Sequence, residues 1–436
     1  MKRKTLCFML TLTAACLASC KYDYRYIVPA YPYNEGGTDT AGAEDTGIED
    51  GGEYDIKMWC DERISDLTKT QVANFVNQSN GKYKINLTID HLGEDSAASS
   101  MIEDVAGGAD IYVFAQDQLS RLKTARALAS ITGEMKKAVV AETEEDGVEA
   151  ASIGDTLYAF PFTSDNGYFM YYDKRIIPES DVGDIEKIIA DCENANPKKT
   201  INYSIFGNGF YAASYFMATG CESKWEIGDD NKFSSFDDTY NSEAGVIACK
   251  AIKYLKAHNI FGNSDDPSKL GKDKKGLGAC VSGIWNYGYA YDAIGENLGC
   301  APMPSFTVDG KKYHISSFSG YKLIGVKPQT DAKKVSVCKR IARYLSGKVC
   351  QTERFNTVSW GPTNVAVLDL EQVKAHPGLA ALRAQKPYSK PQGQCPSSWF
   401  SSVSSLASAI NKDSSDAEIR TALQSYHDNL SSFLEE

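Results

Sequence analysis

The sequence lacks the motifs that most reaction classes need. Its five histidines, His91, His258, His314, His376 and His427, form no pair at helical spacing. There is no GxSxG elbow, no GxxxxGK[ST] phosphate loop and no GxGxxG dinucleotide turn. Nucleophilic hydrolysis, phosphoryl transfer and nicotinamide chemistry therefore lack the residues that carry them, and no cofactor or metal is expected. Paired carboxylates for glycoside hydrolysis need only meet in space, so a glycan-processing enzyme stays open at this point. The twelve cysteines contain no CxxC and no regular ladder of spacings, so neither a zinc ribbon nor a disulfide framework is indicated. Positive charge is in deficit, with 46 Lys and Arg against 57 Asp and Glu, so nucleic acid is a poor partner. Beyond the N-terminus no apolar run approaches membrane-spanning length.

The first twenty residues have a different character. Lys2-Arg3-Lys4 is a basic region, and Thr5 to Leu17 is an apolar stretch too short to cross a bilayer. Leu17-Ala18-Ser19-Cys20 follows and resembles a bacterial lipobox. The resemblance implies cleavage before Cys20, a lipid on its thiol, and a protein held on the outer face of the cell membrane or in the periplasm. Two or more acyl chains make such an anchor stable. Loss of residues 1–19 would deepen the net charge of −11 by three and leave nine further cysteines: Cys60, Cys192, Cys221, Cys249, Cys280, Cys300, Cys338, Cys350 and Cys395. Nine cannot all pair internally. Cys249, Cys280 and Cys338 sit in apolar periodic segments and read as small buried hydrophobes. Residues 21–53, rich first in Tyr and Pro and then in Gly, Thr, Asp and Glu, read as a flexible acidic tether.

From residue 54 onward strands and helical patterns alternate: strand 55–59, helix 67–78, strand 84–89, helix 96–105, strand 111–114, helix 119–129. That alternation argues for sheets covered by helices on both faces. Further helices are expected at 185–192, 244–258 and 335–345, and a hairpin at 228–238. A capping box at Ser415 and Glu418 opens a last helix whose stripe Ile419, Leu423, Tyr426, Leu430, Phe433 reads as core. The chain is too long for a single core of usual size and fits two lobes.

Residues 107–174 hold the most information. Gly107, Gly108 and Asp110 lead into the apolar run 111–114, which ends at Gln116-Asp117 and passes into an amphipathic segment. LYAFPF (157–162), a polar turn at Ser164 to Asn166 and the aromatic strand 168–172 follow. This order resembles the extracellular solute-binding proteins of ABC importers, in the maltose-binding-like, carbohydrate-binding branch. The likeness extends to YDIKMWCDE (54–62), GACVSGIWNYGYAY (278–291), CAPMPSF (300–306) and SSWFSSVSSLASAI (397–410), in the family's order.

The resemblance implies an α/β, two-lobed, type II periplasmic-binding-protein fold, each lobe a mixed sheet flanked by helices, with the ligand cleft between them. Residues 54–161 plus 305–346 would form one lobe and 162–304 plus 347–436 the other. The implied function is capture of a sugar or oligosaccharide by hinge closure and its delivery to a permease. The partners would be a carbohydrate and the subunits of an ABC transporter, and the protein would act as a monomer without catalysis. A polyamine, using aromatics with Asp61, Asp117 and Asp165 as counter-charges, is the competing ligand.

Sugars present an apolar C–H face and a rim of hydroxyls, so their sites need flat aromatics beside carboxylates and amides. The candidate aromatics are Trp59, Phe114, Trp285, Tyr287, Trp360, Trp399 and Phe400. The candidate polar contacts are Asp61, Gln116, Asp117, Asp165 and Asn166. Trp59 ends a strand whose alternation fits burial equally well, Trp360 precedes Gly361-Pro362 and could pack at a hinge, and only one of Trp399 and Phe400 can face a cleft. Cys60-Asp61, Asp117-Gln118 and the serine run after Phe400 depart from the maltose-binder pattern, so maltose itself does not carry over.

Overall fold

A computed structural model describes residues 50–434 apart from 95, 229, 231 and 272–275. The signal segment, Cys20 and the tether up to residue 49 lie outside the described residues.

Two five-stranded mixed sheets organise the chain. Their strands, in chain order, are β1 (Gly52–Cys60), β2 (Tyr83–His91), β3 (Ile111–Ala115), β4 (Phe160–Thr163), β5 (Phe169–Asp173), β6 (Thr200–Asn202), β7 (Phe261–Gly262), β8 (Leu277–Ser282), β9 (Leu298–Ala301) and β10 (Lys322–Val326). The first sheet runs β2-β1-β3-β10-β4 and the second β7-β6-β8-β5-β9. In the first, β1 is parallel to β2 and β3, and β10 runs antiparallel between β3 and β4. In the second, β6 is parallel to β7 and β8, whereas β5 runs antiparallel to β8 and β9. The central strands β3, β8 and β10 are buried along their whole length, as expected of strands covered on both faces. Edge strand β2 alternates instead, with Ile85, Leu87 and Ile89 half-buried and Lys84, Asn86 and Thr88 exposed.

Local chemistry sets the helices that cover these sheets. Asp61 caps α1 (Glu62–Gln78) by accepting from the Arg63 amide. Asp331 caps α2 (Ala332–Leu345) by accepting from the amides of Lys333 and Lys334, satisfying donors that a helix start leaves free. The capping box at Ser415 and Glu418 is formed, and the stripe from Ile419 to Phe433 is buried. The segment after β3 departs from expectation. Its helix ends at Thr124 because Arg126 turns left-handed, at φ 57°, and Ala129 then donates to the carbonyl of Val326.

One hydrophobic cluster fills the first lobe and continues beneath β5 and β8, and a second packs the opposite face of that sheet against helices that include Ser397–Ala409 and Asp416–Leu430. The helix α3 (Lys348–Val358), expected with the second lobe, packs on the first: Cys350 and Phe355 join the first cluster, and Gln71 Nε2 donates to the Cys350 carbonyl. All nine cysteines in the described residues are free and all but Cys300 are buried, with burial pushing the thiols of Cys60, Cys249 and Cys338 up to about 12. The acidic segment is also shorter than its composition suggested. β1 begins at Gly52, and Asp50, fully buried, already belongs to the fold.

Candidate functional site

Strand direction decides which residues meet. The parallel strands β1, β2 and β3 end on the same edge of the first sheet, and antiparallel β10 starts there, with Lys322 beside Ala115. Asp61, Glu94, Gln116, Asp117 and Lys322 follow or begin these strands and so line one lip. On the other lobe β8 is followed by Gly283, and the turn that opens there carries Trp285. A Cβ on Gly283 would lie 2.0 Å from the Trp285 ring. The glycine thus lets the indole fold back over its own backbone and keeps it half-buried at the cleft edge, the reason a G-x-W turn needs its first residue.

Arg63 and Lys322 tie the two lips together. The Arg63 guanidinium grips Asp61 through Nε at 2.9 Å and Nη2 at 2.5 Å, and its Nη1 donates to the Trp285 carbonyl at 3.3 Å. Burial would raise the Asp61 carboxyl, but the bonds from Arg63 outweigh it and hold the pKa below the usual carboxylate value. Lys322, almost fully buried, bonds Glu94 at 2.5 Å, and its ammonium lies 4.2 Å from the Trp360 ring centre and 5.7 Å from that of Trp285. The Arg63 guanidinium is 5.3 Å from the Trp360 ring. This end of the cleft therefore holds two indoles and two compensated ion pairs.

Asp117 marks a second polar station. Its Oδ1 is buried without a hydrogen-bond partner, while its Oδ2 accepts from Gln118. Gln118 in turn accepts from Arg121 Nη1 at 3.1 Å, and the Arg121 guanidinium lies 5.8 Å from Phe233 in the second-lobe hairpin Ser223–Ile227 with Phe233–Asp238. Burial pushes the Asp117 pKa up to about 6 despite the Gln118 bond. A folded-state pKa above the unfolded value of 3.8 means that Asp117 costs stability progressively as pH rises from about 3.8 to about 6, and in full above that. Asp117→Asn should accordingly stabilise the protein by about 1–3 kcal/mol at pH 8 and far less at pH 4. Thermal melts at the two pH values check this, and equal shifts at both would refute the buried-carboxylate account.

The other candidate residues divide by location. Gln116 binds the backbone of Tyr321 in both directions, at 3.0 and 2.8 Å, and so holds β3 to the start of β10. Asp165 joins separate segments of the chain: Oδ1 accepts from Thr163 at 2.6 Å and Oδ2 from the Gly361 amide at 2.7 Å. Asn166 adds a third segment through the Gly320 carbonyl and reaches Gln392 at 3.2 Å. Tyr287 packs 4.2 Å from His376, and Phe400 sits edge-on to Phe318. The interior takes Trp59, Phe114 and Trp399. Trp59 lies edge-on to Tyr112 and bonds Asp90 on the neighbouring strand, Phe114 is fully buried beside Tyr112, and Trp399 donates to Tyr426 at 2.8 Å. Sequence reasoning missed Arg63, Glu94, Lys322 and Arg121. The available signal was Lys322, a charge opening an otherwise apolar central strand. A separate concavity of about 470 Å³, lined by residues that include Arg175, Gly271 and Asp292, shares none of these groups.

Two mixed α/β lobes with polar and aromatic groups converging from strand ends on a shared cleft define a two-lobed binding protein. The model for the bacterial extracellular solute-binding proteins matches residues 71–381, and the chain belongs to that family. These are binding proteins rather than enzymes. A maltotriose-binding protein of Pyrococcus abyssi (strain GE5 / Orsay) is 21% identical over 329 residues, covering 74% of this chain and 70% of that protein. Among solved structures, a maltodextrin-binding protein from L. casei BL23 superposes with a TM-score of 0.72 at 19% identity, over 87% of this chain and 99% of that one. The Thermus thermophilus maltotriose-binding protein gives 0.68 at 18% identity, over 86% and 99%.

Proposed function

We propose that this protein captures a sugar or oligosaccharide between its lobes and presents the closed form to the permease of an ABC importer, acting as a monomer held on the cell membrane, facing the outside or the periplasm, through a lipid on Cys20. The observation that carries the sugar reading is the cleft edge, where the half-buried Trp285 indole stands beside the Asp61–Arg63 and Glu94–Lys322 pairs. An aromatic platform flanked by hydrogen-bonding groups of both senses suits a ring with an apolar face and a hydroxyl rim. The names of the relatives, which bind maltotriose and maltodextrin, support the same class. A polyamine fits less well, because the protein's own Arg63 and Lys322 already occupy the cation positions on Trp360 and Trp285. Contacts from a bound sugar to both lobes would favour the closed state and shift the population toward it. The lipid reading rests on Leu17-Ala18-Ser19-Cys20; Cys20→Ala should release the protein from membranes in a fractionation experiment.

A thermal-shift screen with maltose, maltotriose, longer maltodextrins, other oligosaccharides and spermidine tests the ligand. A sugar at a hundred times its Kd should stabilise by about 2.7 kcal/mol. Trp285→Ala should weaken binding of that sugar by about 1–3 kcal/mol without lowering Tm appreciably. Silence across every sugar, or a response to spermidine alone, would overturn the proposal.

A further inference from the structure

Asp117 stands where the two hydrophobic clusters face each other. It belongs to the turn after β3, and Leu119 and Leu122 on the helix that follows pack in the first cluster. Opposite stand Phe233 and Cys395, members of the second. The Arg121 guanidinium lies 5.8 Å from the Phe233 ring, and the charges that act on the Cys395 thiol are those of Asp117 and Arg121. The meeting of these segments leaves polar atoms unspent on both sides. Asp117 Oδ1 and Arg121 Nε on one, and Oε1 of Gln394 beside Cys395 on the other, are buried with no hydrogen-bond partner. An ionised carboxylate in that condition is costly, and Asp117 is only 4% exposed. Among the described residues, the charged and titratable groups that face it are Arg121 from its own helix and Cys395 from the opposite segment. Burial pushes the Cys395 thiol well above its ordinary range, so the thiol stays neutral in acid and Asp117 is the group that exchanges a proton there. Swinging the lobes apart would lift Phe233, Gln394 and Cys395 away and return the carboxyl to water.

We infer that closing the lobes loads a proton from solvent onto the Asp117 carboxylate and opening them releases it, so that Asp117, Arg121 and the Phe233 hairpin form a pH-sensitive latch favouring the closed form in mild acid. The inference rests on the lobe closure of the reading above and not on which sugar is bound. The sign follows from burial. The carboxyl titrates at about 6 in the closed arrangement and at the ordinary 3.8 once hydrated, so the preference for closure is absent well above pH 6 and grows as pH falls toward 3.8. Between pH 8 and pH 5 the closed-to-open ratio should rise about ten-fold.

Small-angle X-ray scattering of the unliganded protein at the two pH values reads the closed fraction. It should be larger at pH 5 in the wild type, and Asp117→Asn, neutral at both, should show no difference. Affinity carries the same effect, because a sugar that binds the closed form gains from whatever populates it. By titration calorimetry with the sugar that gives the largest response in the panel above, Kd should be up to about ten-fold lower at pH 5 than at pH 8 in the wild type. In Asp117→Asn it should be the same at both, whatever its absolute value. An affinity that instead strengthens with pH, as it would if an ionised Asp117 accepted from a sugar hydroxyl, overturns the latch. So does a pH response in Asp117→Asn equal to that of the wild type, or a wild type in which closed fraction and Kd are both flat. Each of these leaves the sugar reading intact. Failure of every sugar in the panel to bind overturns that reading, and the scattering alone then decides the latch, a flat closed fraction refuting it.

Discussion

Alanine in place of Asp50 is expected to destabilise the protein by about 3–5 kcal/mol, the range for breaking a buried ion pair by removing one partner. Asp50 is fully buried, yet four side chains converge on its carboxylate: Lys82 at 2.9 Å, Arg340 Nε at 2.6 Å, Ser336 at 2.9 Å and the Tyr83 hydroxyl at 2.9 Å. Its own carbonyl accepts from the Tyr54 hydroxyl at 2.7 Å. One residue thus pins the entry of β1 to β2 and to α2, which lie far apart in sequence. Removing it strands two cations and two hydroxyls in or near the interior. At the per-residue unfolding entropy typical of globular proteins, the loss corresponds to a fall in Tm of about 4–6 °C. The pH dependence follows from the same geometry. Burial alone would raise the Asp50 pKa, but the bonds from Lys82, Arg340 and Ser336 bring it down to about 2. A depressed carboxylate contributes stability above its unfolded pKa of about 3.8 and loses it as pH falls toward 2. The gap between wild type and Asp50→Ala should therefore be full at pH 7 and shrink in acid. Urea titrations at pH 7 and pH 3 measure it, and a loss below about 1 kcal/mol at pH 7 would mean that the network is dispensable.

Asp50 also shows where composition misleads. A stretch of Gly, Thr, Asp and Glu reads as solvated, and nothing near residue 50 announces that one of its acids will be buried. The cations that hold it lie 32 and 290 positions away, and no spacing rule connects residues that only the sheet brings together. Periodic features fared better. The apolar run of β3, the capping box at Ser415 and Glu418 and the stripe on the last helix are local, and each element forms where its pattern places it. The aromatic candidates fall between these cases. Trp59 and Trp285 both stand at strand ends, and sequence position alone treats them alike. They part because Trp59 is still within the ladder of β1, opposite Asp90, whereas Gly283 frees Trp285 from its strand. The Glu94–Lys322 pair of the cleft was illegible for the same reason as the Asp50 network, since its two residues are joined by topology and by nothing local.

That pair carries the second large expectation. Lys322→Met should destabilise the protein by about 3–5 kcal/mol, because it leaves the Glu94 carboxylate, only 17% exposed, without its partner. Methionine keeps most of the side-chain volume, so the loss reports charge and not a cavity. Adding Glu94→Gln should recover most of it, since a neutral pair no longer carries an uncompensated charge. A double mutant as unstable as the single would show that the Lys322 packing against Trp360 and Trp285 matters more than the ion pair. Acid separates the two accounts as well. In the wild type burial would raise the Glu94 pKa, yet Lys322 holds it below the ordinary glutamate value. Its contribution is therefore present above that value and lost as pH falls through the depressed one. In Lys322→Met the lowering by the lysine is gone while burial and the nearby Asp61 charge still raise the pKa, so the carboxyl protonates more readily and the penalty is relieved on acidification. The difference between the two proteins should be largest near neutral pH and close as the solution is made acid, whereas a packing loss would persist unchanged across the range.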